Sequence, residues 1–457
     1  MLLLQIFLNN HLFFIINEYT NLLNFCDTSK ITLQFKNQLN YALSLEKSLQ
    51  FYNDVHFRNL ALSKVLYPNK QLSLDLDRRD KITDVSILRQ IYSLDLSNCK
   101  NVVDVSSLGQ VYSLDLSNCQ NIVDINALGH VHTLKLIWCK QFTNVNALTN
   151  VHTLDLTMCE NIVDVSGLTK VHTLNLFGCK KLVDVSALAN VHTLNLTTCF
   201  QIVDVSALTN VYDLNLRSTS VSNVSALTNV HTLDLSHCTN IVDVSALGRV
   251  HTLNLTKCRK IVDVSALANV YSLNLSYCKK IVDVSMLGKV HILDLTYCKK
   301  IVDVSALGKV HTLSLISCNK ITDVSALGQV HSLTLSHCRN IVDVSMLYLV
   351  NTLNLYDCQK IVDVNMLGSV HTLNLGSCQN IVDVSMLGNV YNLNLENCQN
   401  ITDFSMLGNV YNLNLDGCEN LTDISMLRSV HILNIDNCDN IIYNKDDKEY
   451  IDPDEEW

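Results

Sequence analysis

Seventeen cysteines, Cys99 through Cys438, recur at one register of a repeating unit, accompanied by a file of His or Tyr and a file of Asp. These residue types carry chemistry: paired thiols form disulfides, clustered thiols and imidazoles bind zinc, and carboxylates serve as acids, bases or calcium ligands. Their spacing argues against each. The ladder count is odd and every thiol has equivalent neighbours on both sides, so no disulfide pairing is singled out. Metal ligands must converge on a point, whereas these files run in parallel. The cysteines read as small, buried structural residues and imply a reducing compartment. Only Cys26 stands outside the file.

His or Tyr holds the second place of the unit in seventeen copies, including His132, His152, His172, His192, Tyr212, His231 and Tyr271. Rings stacked at the strand entrance account for this file. Imidazoles ~5 Å apart repel when charged, so the file predicts lost stability as pH falls below ~6.5. Asp holds the fourteenth place from Asp84 to Asp423, with Asn144 and Asn223 as exceptions. An outer turn needs a side-chain oxygen there to cap free N–H groups, and Asn serves equally. No nucleophile–base pair, phosphate loop or converging acid pair lies outside the files. The chain therefore reads as a non-enzyme needing no metal or cofactor.

The unit positioning these files is V-H-T-L-D-L-S-x-C-x-N-I-V-D-V-S-A-L-G-x. Nineteen copies span 71–442, each 20 residues long except the 19-residue copy at Val211, and the last breaks down after Ile442. Self-similarity at a fixed period decides architecture before any local pattern does. T-L-D-L-S alternates with the period of a half-buried strand, its leucines inward and its polar residues outward. In I-V-D-V-S-A-L the apolar residues fall three apart, which fits an extended run and a 3₁₀ turn. One unit cannot bury its own apolar side, so each must stack on the next. The expectation is an α/β solenoid with one long parallel sheet and short outer segments, forming a long, shallow arc.

Composition agrees. Apolar residues make up 48% and charged residues 17%, and Gly and Pro number 13 and 2, which excludes disordered and collagen-like chains. A net charge of −10 argues against a general nucleic-acid binder. No apolar run is long enough for a spanning helix. The apolar start MLLLQIFL lacks a basic lead and a small-residue cleavage site, so it reads as cytosolic, with the nucleus as the other compartment.

The pattern L-x-L-x-x-C-x-x-I-x-D, seen in Leu94, Leu96, Cys99, Val102 and Asp104, resembles the leucine-rich repeat of the cysteine-containing, F-box kind, in a short form of giant-virus or protist style. The D-V-S-A-L ending is similar to internalin repeats. The resemblance implies that the cysteine turns the chain inward after the strand and bonds backbone groups of the loop. Residues 2–31 resemble a degenerate F-box, although the usual leading Leu-Pro is missing and no Trp follows Lys30. In that family a helical module docks on the linker subunit of an SCF-type ubiquitin ligase, and the repeats capture a substrate. Residues 1–70 otherwise read as a small helical N-terminal cap, and 443–457 as an acidic C-terminal tail.

Specificity has to come from places where the repeats differ. Ile137, Trp138, Met158, Phe177 and Phe200 form one candidate partner-binding group, and Tyr277, Tyr297, Ile316, His337 and Tyr356 a second. Arg259, Lys260, Lys279, Lys280, Lys299 and Lys300 align in three successive copies as a basic stripe suited to an acidic partner. The function expected is protein binding on the concave sheet by a monomer, as an SCF substrate-recognition adaptor whose residues 1–60 meet the linker subunit. The alternatives are a non-catalytic scaffold or regulatory subunit, and an internalin-like adhesin, which requires export. Nucleic acid and membrane are not expected partners.

Overall fold

The computed structural model describes residues 14–15, 40–65 and 71–442. The chain divides into two compact units, Met1–Thr219 and Ser220–Trp457, whose boundary falls inside the short copy. Both are built from one kind of coil. In the coil at Val250 the strand is Thr252–Asn254, and Val250, Leu253, Leu255, Cys258, Ile261, Val264 and Leu267 are all at most 2% exposed. Those are places 1, 4, 6, 9, 12, 15 and 18 of the unit, so the period-two and period-three signals both point at one interior.

Coils stack parallel and in register, leucine over leucine. Leu94 pairs with Leu114 and Leu114 with Leu134 in the first unit; Leu233 pairs with Leu253 and Leu253 with Leu273 in the second. The expected 3₁₀ turn closes most coils, as at Ser265–Leu267. Copies carrying Thr149, Thr169, Thr209 or Thr228 at place 19 have turns without the 3₁₀ stretch; Thr branches at Cβ and is stiff at χ1.

The N-terminal cap carries the expected helices, and two short strands besides. Strands Phe14–Ile15 and Asn40–Ala42 extend the sheet ahead of the first coil, with Phe14 opposite Tyr41 and Asn40 opposite Gln71. Helices α1 (Leu45–Asn53) and α2 (Val55–Val65) follow. The Ser44 oxygen caps α1 by accepting the Lys47 N–H at 3.4 Å. α1 buries Ser48 and Phe51 completely. The Ser48 hydroxyl accepts the Asp75 N–H at 3.1 Å and donates to the Leu43 carbonyl at 3.4 Å, tying the helix to the first coil. The candidate F-box, apart from residues 14–15, and the acidic tail lie outside the described residues. In the last coil Leu433 and Ile435 are only half-buried, unlike their counterparts elsewhere, because no further coil among the described residues covers them.

Candidate functional site

Each ladder group has a structural task, between coils or within one. The Cys99 thiol donates to the Leu76 carbonyl at 3.2 Å, Cys258 to Leu235 at 3.1 Å and Cys438 to Leu415 at 3.1 Å, always to the preceding coil. All seventeen sulfurs are buried, and none of them is in a disulfide. Burial pushes Cys99 up to about 11 and Cys278 up to about 12, so these sulfurs are protonated donors rather than nucleophiles. The Asp ladder caps as expected: Asp104 accepts the Ser106 N–H at 2.9 Å, and Asn144 does the same for Asn146 at 2.7 Å. The ring file is stacked, with His152 and His172 at 4.8 Å and His231 and His251 at 4.6 Å. Burial, followed by the charges of His152 and His192, lowers the His172 pKa.

Two structural roles escaped sequence reasoning. The Asp or Asn at place 5, read as a solvated strand residue, is a second cap: Asp95 accepts the Ser97 N–H at 2.8 Å and Asn254 accepts that of Thr256 at 3.0 Å. The signal was present, since sixteen of nineteen copies carry Asp or Asn there. Place 8 adopts the left-handed conformation in coil after coil, as at Asn98 (φ 59°), Trp138 (63°), Met158 (60°), Tyr277 (63°), Tyr297 (60°) and His337 (60°). Only Gly178 and Gly417 meet that demand without a Cβ. No single residue type marks the place, so no pattern pointed to it.

The first candidate group lies wholly in the first unit. Trp138 and Phe200 are exposed, at 41% and 49%, while Ile137, Met158 and Phe177 are half-buried. Trp138 and Met158 occupy successive place-8 sites, and the Met158 N–H donates to the Phe177 carbonyl at 2.7 Å. The Lys140 ammonium lies 4.9 Å from the Trp138 ring centre. Phe200 is set apart, at place 10 on the flank beyond its cysteine.

The second group lies in the second unit and resolves into two pairs, all five of its residues being half-buried. Tyr277 and Tyr297 stack at 4.6 Å, and Tyr356 meets His337 edge-on at 5.6 Å. The Ile316 carbonyl accepts the Tyr297 N–H at 2.8 Å. His337 belongs to a charged cluster: its Nδ1 lies 2.8 Å from Asp357 Oδ2, to which Arg339 donates from Nη2 at 2.6 Å and Nε at 3.0 Å. Burial works to raise the Asp357 carboxyl, but hydrogen bonds from His337, Arg339 and Gln359 outweigh it and hold the group below the ordinary aspartate range.

All six residues of the basic stripe are exposed. Lys299 lies 5.4 Å from the Tyr297 ring centre, so the stripe adjoins the tyrosine pair, and Lys257, outside the stripe, lies 5.6 Å from the Tyr277 ring centre. A further apolar file runs along the outer segments, where Val342, Val362, Met346 and Met366 are each more than half exposed. The coils there leave a groove of about 400 Å³ lined by Val342, Asp343, Val362 and Met366. Among the described residues no helix is long and apolar enough to cross a membrane.

No family model matches the chain, and no curated protein matches it. Solved structures do. An internalin of Listeria monocytogenes is 21% identical, covering 65% of this chain and 85% of its own, with a TM-score of 0.40. The functional domain of InlJ from Listeria monocytogenes, which includes a cysteine ladder, is 19% identical over 71% of this chain and 72% of its own, with a TM-score of 0.39. A leucine-rich-repeat protein of Leptospira interrogans is 18% identical over 83% of this chain and 94% of its own, with a TM-score of 0.47. The coil geometry of this chain, with its in-register leucines and its file of sulfurs, is by itself that of a leucine-rich-repeat solenoid.

Proposed function

We propose that the chain is a protein-interaction module of the cytosol or nucleus that grips its partner on the turns that follow the strands of the first unit. The observation carrying this reading is the set of side chains at place 8. Glycine satisfies the left-handed backbone there at least cost, yet Trp138 and Met158 hold adjacent sites with a Cβ held at positive φ, which costs of order 1–3 kcal/mol per residue. The fold asks nothing of an exposed indole, whereas Trp is the residue most enriched where binding energy concentrates. Ile137 precedes it in the same turn, and Phe177 lies one coil beyond Met158. Trp138→Ala and Phe177→Ala should fold normally and capture less partner from native lysate; equal capture by parent and variant would remove this face.

The finer form is a substrate-recognition adaptor of an SCF-type ubiquitin ligase, resting on the resemblance of residues 2–31 to an F-box. Association with linker and cullin subunits, lost when Leu22 and Leu23 are changed to Asp in the full chain, would support it; no association under gentle lysis would sink it. A scaffold or regulatory role is the second reading. It is favoured by α1, whose Ser48 and Phe51 are spent on covering the first coil.

A further inference from the structure

The basic stripe is a surface lacking its counter-charge. Arg259, Lys260, Lys279, Lys280, Lys299 and Lys300 are exposed on three consecutive coils, and none of the six enters an ion pair among the described residues. Lys260 instead donates to the Asn240 side chain at 3.2 Å. Such a cluster of positive charge in a chain of net charge −10 calls for an anionic occupant. We propose that the occupant is the chain's own acidic segment, residues 446–456, folded back along this flank of the second unit.

Three observations converge on it. The first is charge: 446–456 holds seven carboxylates, at Asp446, Asp447, Glu449, Asp452, Asp454, Glu455 and Glu456, against the single Lys448. The second is the point of departure. Places 10 and 11 of the last coil are Asp439 and Asn440, the same places the stripe occupies in its own coils. The described chain leaves only two residues later at Ile442, whose N–H still bonds the Thr422 carbonyl at 2.9 Å. The third is reach. Seven coils separate the last coil from the one bearing Lys299, about 34 Å at strand spacing, and nine separate it from that of Arg259, about 43 Å. An extended chain from Ile442 covers about 33–36 Å by Asp452 and about 46–50 Å by Glu456. Places 10 and 11 of the coils between them hold Lys320, Arg339 and Lys360, one acidic residue, Glu419, next to the last coil, and otherwise Gln and Asn, so the positive charge deepens in the direction the segment must run.

Tethering makes the contact intramolecular, and low ionic strength strengthens it. The segment would then screen the stripe from any acidic partner in trans. This inference does not depend on what binds at Trp138.

Zero-length carbodiimide cross-linking of the full chain, in a mixture of unlabelled and ¹⁵N-labelled protein, tests it. Amide links from Lys279, Lys280, Lys299 or Lys300 to carboxylates of 446–456 are expected, within a single isotope only. A second arm measures a fluorescent octaglutamate peptide at low salt. Full chain with the seven acidic residues changed to Asn or Gln should bind it at least tenfold more tightly than the parent, and added K279Q, K280Q, K299Q and K300Q should abolish the gain. Absence of the links, links of mixed isotope marking a second copy as the occupant, or equal peptide affinity would each overturn the proposal.

Discussion

Asn146 and Gly167, at places 16 and 17 of adjacent coils, fit one another. The Asn146 Oδ1 accepts the Gly167 N–H at 2.6 Å, and its Nδ2 donates to Asp164 Oδ2 at 2.6 Å. A Cβ on residue 167 would stand 2.5 Å from the Asn146 carbonyl oxygen and 2.6 Å from its Cα, both backbone atoms that cannot rotate away. Ala, Met, Ser or Ile fills place 17 in the other full copies, so Gly167 is an adaptation to its neighbour. Gly167→Ala should cost ~1–3 kcal/mol by overpacking. Asn146→Ser, the residue most coils use at place 16, removes the Oδ1 bond that draws residue 167 against that backbone, so in combination the loss should shrink. Urea unfolding of the four-member cycle reads the coupling, and strict additivity would show the two sites to be independent.

The cysteine file should resist reagents until the solenoid opens. Its thiols are buried, and burial pushes Cys278 up to about 12, so thiolate is scarce at neutral pH. Ellman's reagent should leave the seventeen ladder thiols unmodified in the native protein and titrate them in denaturant. Cys258→Ala should cost only ~1–2 kcal/mol, because the Leu235 carbonyl it bonds also accepts the Cys238 N–H at 3.0 Å and keeps a partner. Rapid native modification would mean the coils breathe.

Much of the coil was legible because side-chain period maps directly onto burial. Leu253 and Leu255 two apart, and Ile261, Val264 and Leu267 three apart, read as inward residues and are so. Capping by Asp104 was legible for a similar reason, since D-x-S before an apolar residue has one common use. Asp95 was not, because a polar residue at an outward strand place looks solvated whether or not it caps. The left-handed turn at Trp138 was hidden by its occupants: a backbone that all coils impose leaves no mark when Trp, Met, Thr, Lys and Tyr all accept it. Pairing of His337 with Asp357 was also hidden, for it depends on two variable places meeting across adjacent coils.

Acid should weaken the fold in two stages. The His172 and His311 pKa values are lowered, by burial first and by neighbouring imidazoles next. The unfolded chain therefore binds these protons at higher pH than the folded chain, and stability is lost as pH falls from ~6.5 toward the folded values. Hydrogen bonds from Ser265, the backbone N–H foremost, hold Asp263 low. That contribution is complete above pH ~4 and disappears as pH falls through the folded value. His172→Tyr with His311→Tyr, using the ring that other copies accept, should flatten the first stage and leave the second. Melting curves from pH 8 to 3 read both, and an undiminished drop between pH 7 and 5 in the variant would acquit the imidazoles.

Stability and recognition should separate when Leu253 and Trp138 are compared. Leu253 is 1% exposed between Leu233 and Leu273, so Leu253→Ala should cost ~2–5 kcal/mol through the cavity it leaves. Trp138 sits at φ 63° with its ring largely in solvent. Trp138→Gly relieves ~1–2 kcal/mol of left-handed strain and gives back ~0.5–1 kcal/mol in unfolded-chain entropy, so stability should hold or rise slightly. Partner affinity should nevertheless fall by ~2 kcal/mol. A residue kept for packing alone would show the reverse, with stability falling and affinity unmoved. Chemical denaturation and a binding isotherm on the same two variants decide between these outcomes.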